Sequence, residues 1–386
     1  MRLPTAGPGL AGAAATFTGI GLARFAYTPL IPAMVDAGWF SAAQAAYLGA
    51  ANLLGYLIGA LTADRLASAL GVPRLARVSM AGLVASFLLC ATPAPFTWFA
   101  LWRLISGITG AVLMIAGVSA AIGAVPAARR AQTTARVFTG IGVGVLLAAV
   151  VVPLLLRAGL GAAWLALGGL ALGACLLAWP AWGRLSAPEG ASAGNGGATG
   201  RLLALTGTTL AAYALDAVGF IPHTVFWVDY LARGRELGMD AASAQWALFG
   251  LGAVAGPALA SFAARHLGWR RALVGVLAAK AGIVALPLAV PGPAVLAASS
   301  LVMGALVPGT VAVTSARIAE LAGIADHRRV WGWATIAFAL LQAGGGYALA
   351  AVFERTDSYL ALFAISTAAL LAAVALAWSS PAGTGR

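Results

Sequence analysis

Twelve apolar stretches recur along the chain, at roughly 10–35, 42–63, 76–92, 96–124, 134–156, 161–181, 202–229, 242–264, 272–290, 294–319, 330–353 and 358–379. A helix of about 20 such residues crosses the hydrocarbon core of a bilayer. Inside lipid every backbone N–H and C=O must be satisfied within the segment, which leaves helices as the solution for runs of this length. Of 386 residues, 61% are hydrophobic and only 9% charged, whereas about a quarter of a soluble domain is charged. The expected fold class is therefore an all-α polytopic membrane protein of twelve transmembrane helices, with the lipid bilayer as its main partner.

The formal charge of +12 would suit a nucleic-acid partner, but its distribution argues against one. Counted from a cytoplasmic N-terminus, the even connections and the termini hold 16 arginines, among them Arg2, Arg65, Arg74, Arg77, Arg184 and Arg386, and the odd connections hold Arg157, Arg233, Arg235 and Arg355. This is the positive-inside bias, and it predicts cytoplasmic N- and C-termini. Cys90 and Cys175 fall inside apolar segments and suggest packing rather than a disulfide framework or a metal. No small-residue cleavage site follows the first apolar run, which favours a retained helix over a removed signal peptide. Residues 183–201, GRLSAPEGASAGNGGATGR, have no apolar face and read as a linker. They divide the chain into an N-terminal six-helix bundle, 1–182, and a C-terminal one, 202–386.

Within the first segment, GIGLARFAYTPLIP carries one charge, Arg24, near its middle. A charge at that depth costs about 2.5–3.5 kcal/mol on insertion scales, so Arg24 is expected to face a cavity or a partner such as helix-end carbonyls. Tyr27, Thr28 and Ile31 follow at helical spacing and predict a hydroxyl-bearing stripe beside the guanidinium. Pro29 and Pro32 withhold backbone donors, and broken backbone is tolerated in membranes where it lines a cavity.

The second segment spaces Gly49, Gly55 and Gly59 for close helix approach, with Asn52 and Tyr56 sharing a face. Each of these two could meet a substrate or hydrogen-bond a neighbouring helix. The connection beyond begins Asp64-Arg65 and continues to Arg74 and Arg77, a charged turn at the membrane surface. Arg103, in Arg103-Leu-Ile-Ser-Gly107 of the fourth segment, is expected either to reach the cavity or to snorkel to the interface.

The two halves resemble each other at a shift of about 200 residues: Gln44, Gly49 and Gly55 meet Gln245, Gly250 and Gly256, and Gly71 and Gly107 meet Gly268 and Gly304. Parallel repeats of this kind place a binding site near the midplane between the halves. The seventh segment then partners the first and holds Asp216, read as the only carboxylate placed well inside an apolar segment, with His223 seven residues on. Asp216 is expected either to carry a coupling proton or to pair with Arg24, Arg103 or Lys280. Lys280 lies midway through the ninth segment. Gln342 in the eleventh faces either the cavity or a neighbouring helix.

Together, ARFAYTPLIP, AAYLGAANLLGYLIGAL, RLISG and the late QAGGGYALA resemble the YbfB/YjiJ branch of the major facilitator superfamily. The Asp64-Arg65 connection is similar to that superfamily's loop signature between helices 2 and 3, with Ala60 and Ala67 where glycines are usual, and Arg103 to Gly107 is similar to its helix 4 signature. The resemblance implies a secondary transporter of the bacterial inner membrane with two pseudo-symmetric six-helix bundles and Asp64, Arg65 and Arg74 in a conformational loop. The ninth helix is peripheral in the fold the chain resembles, which implies that Lys280 supports the site and does not contact substrate. Two cationic groups in the first half favour a small organic anion, because guanidinium holds a carboxylate bidentately. A sugar or drug-like compound is the competing substrate class, and an anion exchanger without a proton step the competing mechanism. The expected binding residues are Arg24, Tyr27, Thr28, Asn52, Tyr56, Arg103, His223 and Gln342, with Asp216 coupling to protons, no cofactor or metal, and a monomer. The single G-x-S-x-G string, Gly190 to Gly194, falls in the linker and not between a strand and a helix, and the chain shows no His pair at metal spacing and no phosphate-binding Gly-Lys loop, so neither an intramembrane enzyme nor an ATP-driven pump is expected.

Overall fold

The computed structural model describes residues 7–183, 185, 199–289 and 292–381, which are helical almost throughout, with no strand. The first helix, α1, comes in three pieces: Pro8–Thr16, a widened π turn over Phe17–Phe25, and Leu30–Asp36. The others are α2 (Ala42–Leu70), α3 (Val72–Leu89), α4 (Phe96–Gly123), α5 (Ala127–Leu156), α6 (Leu160–Trp182), α7 (Thr199–Gly234), α8 (Gly238–Leu267), α9 (Trp269–Ala285), α10 (Pro293–Ala322), α11 (Ile324–Thr356) and α12 (Tyr359–Ser379). Among the described residues, eleven helices are continuous, long and apolar enough to cross a membrane. The twelfth apolar stretch is α1, interrupted at 26–29 just where Pro29 removes a donor.

Three of the boundaries that differ from the sequence reading bear on the site. Helix α2 runs on to Leu70, so Asp64 and Arg65 ride on a helix instead of a connection, and the turn into α3 is Gly71 alone, at φ 74°. A side chain there would be strained, and Gly268 (φ 78°) makes the same turn between α8 and α9. Helix α7 begins at Thr199, inside the expected linker, and ends at Gly234, which draws Asp229 into a buried position. Asp216 is therefore not the sole deeply placed carboxylate, because the extension to Gly234 sets Asp229 inside the helix, where it is 1% exposed. The rest of the linker, residues 184 and 186–198, lies outside the described residues, as do Arg2, Arg184 and Arg386.

Helix pairings recur between the halves. α2 packs on α4 as α8 packs on α10, α3 on α6 as α9 on α12, and α1 on α5 as α7 on α11. Glycine makes the tightest of these possible. A Cβ added to Gly55 would lie 2.1 Å from the Leu104 carbonyl oxygen, and one added to Gly252 would lie 2.0 Å from that of Leu301. Gly59 faces Ile108 as Gly256 faces Ala305, and Gly107 faces Asn52 as Gly304 faces Phe249. All six of these second-half residues stand 197 positions after their counterparts. The repeat in α2 and α8 is thus four residues, about one helical turn, away from the register that paired Gly55 with Gly256. Between the halves, α2 lies against α11 and α5 against α8.

Candidate functional site

A cavity of about 690 Å³ lies between the halves, lined from α1, α2, α4, α5 and the first residue of α3 (Val72) on one side and α7, α8, α10 and α11 on the other. It extends to Asp64, Ser68, Trp331 and Gly332, near the α2–α3 and α10–α11 connections. Asp64 and Ser68 are exposed, so the cavity opens at that end. The opposite end is shut by contacts between the halves. Thr28 Oγ1 donates to the Thr224 carbonyl, and Tyr47 OH donates to Glu354 Oε2 at 2.7 Å. Gly49 abuts Val225, and Gly346 abuts Leu53 and Ala50.

Arg24 lines this cavity. It sits on the π turn of α1, which is held against α4 and α5 by close approaches of Gly19 to Gly110 and Gly21 to Gly144. Its guanidinium carbon is 5.7 Å from the Tyr56 ring centroid and 5.6 Å from that of Phe25. Among the described residues it has no ion-pair or hydrogen-bond partner. Tyr56 lines the cavity with it, whereas Asn52, one turn earlier, turns to α4 and donates to Ser106 Oγ (2.8 Å) and the Arg103 carbonyl (3.4 Å).

The expected stripe beside Arg24 does not form, because the π turn and the break at 26–29 change the helical register. Tyr27 turns away, donating to the Ala45 carbonyl at 2.8 Å, and Thr28 serves the closed end. Arg103, 3% exposed, does not snorkel: Nη1 donates to the Ala23 carbonyl at 2.7 Å and the guanidinium stacks 3.9 Å from the Tyr27 ring centroid. It thus grips the backbone one residue before Arg24 and lies outside the cavity lining.

In the other half, Lys280 Nζ bonds both Asp216 oxygens at 2.8 and 2.9 Å, with the two side chains 0% and 1% exposed. Of the partners anticipated for Asp216, Lys280 is the one observed. The ammonium is 4.7 Å from the Phe220 ring centroid, and Phe220 separates this pair from the cavity it lines. His223 is buried off the cavity, with Nε2 3.2 Å from Ser299 Oγ and its ring stacked on Trp227. Gln342 is buried, and neither amide atom has a partner. Asp64 lines the cavity mouth, while Arg65 and Arg74 are exposed.

The wall facing Arg24 escaped sequence reasoning. Trp331, Tyr213, Phe338 and Phe220 form a continuous aromatic run, with successive centroids 5.6, 4.6 and 6.0 Å apart. The signal was present. Tyr213 and Phe220 on α7, and Trp331 and Phe338 on α11, are each seven residues apart and so share a face. Asp229, also missed, accepts a hydrogen bond from Tyr359 OH at 2.5 Å and lies 3.5 Å from Arg233.

Residues 16–378 match the family model described as "Uncharacterised MFS-type transporter YbfB". No curated protein matches the sequence. Similar solved structures include a D-xylose-proton symporter, with TM-score 0.76, 14% identity and coverage of 98% of this chain and 97% of that one. Another is the peptide transporter POT, with TM-score 0.73, 14% identity and coverage of 95% and 93%. At such identity the likeness extends to the fold alone.

Proposed function

Because the chain belongs to the YbfB-type family of major facilitator superfamily transporters, we propose that it is a secondary active transporter that carries a small organic anion by alternating access, with Arg24 holding the anionic group. The observation that carries this reading is a cationic side chain in the cavity wall with no ion-pair partner among the described residues. An intramembrane charge is costly unless something compensates it, and a bound carboxylate would do so bidentately. The arginine asymmetry supports cytoplasmic termini with the cavity open to the cytoplasm, and membership of the family supports a bacterial inner membrane. The recurring helix pairings support two six-helix units, 1–182 and 202–386, joined through 183–201, rocking about the cavity.

Arg103 acts as a positioning residue by fixing the Ala23 carbonyl. Asp216 is the candidate proton carrier, and its buried pairing with Lys280 favours a coupling step in which that pair opens. An exchanger without a proton step is the alternative if the pair is permanently closed.

Counterflow in proteoliposomes tests the central assignment. Arg24→Ala is expected to weaken anion binding roughly 10- to 100-fold, from the about 1.5–3 kcal/mol typical of hydrogen bonds to charged groups. Arg24→Lys retains the charge but loses the bidentate fork, and is expected to fall between the two. A well-folded Arg24→Ala variant with unchanged anion affinity would make Arg24 structural.

A further inference from the structure

The cavity wall opposite Arg24 narrows the substrate class. Resting on the anion reading above, we infer that the ligand is an aromatic or similarly flat, apolar monoanion, a compound with one carboxylate on a ring-bearing body. Phe25 and Tyr56 flank the guanidinium, and the four-ring run from Trp331 to Phe220 forms the facing wall. Phe249, 5.8 Å from Phe25 between centroids, closes the space beside Arg24. A carboxylate held by Arg24 therefore projects the rest of its molecule between aromatic faces, where offset or edge-on ring contacts are favourable.

The same lining disfavours the other classes. A sugar has a hydroxyl on nearly every carbon, and each one buried without a partner costs free energy. Apart from Arg24, the polar side chains deep in the cavity are few, chiefly the Tyr56 and Tyr213 hydroxyls and Thr335, while Ser119 is exposed. A dicarboxylate would place its second charge against phenyl rings. A cationic drug would meet Arg24, while the carboxylate among the described lining residues, Asp64, is at the exposed mouth. The volume of about 690 Å³ accommodates one or two fused rings with their side chain, within the range of about 300–1,000 Å³ usual for small-molecule sites.

The test is calorimetric titration of the purified full-length chain in detergent with acetate, succinate, benzoate, phenylacetate, 1-naphthoate, phenylacetamide and D-xylose. Affinity is expected to rise from acetate, which should show no measurable binding, through benzoate and phenylacetate to naphthoate. Phenylacetamide, which keeps the ring and loses the charge, is expected to bind at least tenfold more weakly than phenylacetate. Phe338→Leu should flatten the dependence on ring size, and Arg24→Ala should abolish the preference for phenylacetate over its amide.

Acetate or succinate binding as tightly as the aryl carboxylates, in an Arg24-dependent manner, would overturn the aromatic inference and leave the anion reading standing. D-xylose binding in place of the acids, or phenylacetamide matching phenylacetate, would overturn both. Failure of every aryl carboxylate to bind at millimolar concentration also refutes the inference.

Discussion

Breaking the Asp216–Lys280 pair is the perturbation whose size the structure fixes best. The ammonium meets both carboxylate oxygens, at 2.8 and 2.9 Å, and neither side chain is more than 1% exposed. Asp216→Asn leaves the lysine charge buried with a neutral acceptor. Removing one partner of a buried pair typically costs about 3–5 kcal/mol, and the oxygen retained by the amide argues for the lower end, about 3 kcal/mol. Lys280→Met should cost a similar amount. The double variant buries no net charge, so its loss should fall about 2 kcal/mol or more short of the sum of the single losses. Unfolding in mixed micelles titrated with SDS, on all four forms of the cycle, reads this coupling. If the two losses add within about 0.5 kcal/mol, the pair is not an energetic unit. The same proteins in liposomes separate coupling from support. A folded double variant that still exchanges substrate but no longer accumulates it with a pH gradient places the proton at this pair. One that still accumulates it sends the proton elsewhere.

Two further expectations concern architecture. Gly304→Ala would bring a methyl to 2.0 Å from the Phe249 carbonyl and should destabilise the chain by about 1–3 kcal/mol in the same unfolding assay, whereas Gly275→Ala, with open space around it, should be neutral or stabilising. In a background where the buried Cys90 and Cys175 are replaced, Ser68→Cys should react with an impermeant maleimide only in opened membranes and Ala158→Cys in intact cells; the reverse pattern would invert the topology.

The fold was legible because its determinants are local. Apolar length fixes helix number, and glycines at 55, 107, 252 and 304 fix where helices touch. The register of the repeat was harder, because a glycine-rich helix offers several alignments one turn apart, and only the facing carbonyls choose between them. Arg24 could be picked out because an intramembrane charge demands an explanation. Tyr27 and Thr28 were placed beside it by assuming 3.6 residues per turn, and the π turn over Phe17–Phe25 removes that assumption. The aromatic wall shows the complementary difficulty. Trp331 and Phe338 look like core residues in a chain that is apolar everywhere, and only the packing of α11 against α2 and α7 shows that this face borders a cavity.

The closed end supplies the final test, because alternating access requires it to open. Tyr47 on α2 donates to Glu354 on α11 at 2.7 Å, joining the two halves. Hydrogen bonds to charged groups contribute about 1.5–3 kcal/mol. This one lies at an exposed rim where water competes, so about 1 kcal/mol is the appropriate figure. Tyr47→Phe removes the bond and keeps the ring, including its approach to Tyr347 at 6.2 Å. Loss of about 1 kcal/mol from the closed state changes the ratio of the two access states about fivefold. A cysteine at Gly346, buried against Leu53 and Ala50 in the closed arrangement, reports that ratio by its rate of labelling from the side of Glu354. Because a side chain at Gly346 itself crowds Leu53, the comparison is between Gly346→Cys alone and Gly346→Cys with Tyr47→Phe. The second should label several-fold faster, and Arg24-dependent binding at the opposite opening should weaken as the population shifts. If labelling is unchanged, the halves are held by the Thr28–Thr224 contact and apolar packing, and Tyr47 is a surface tie without influence on access.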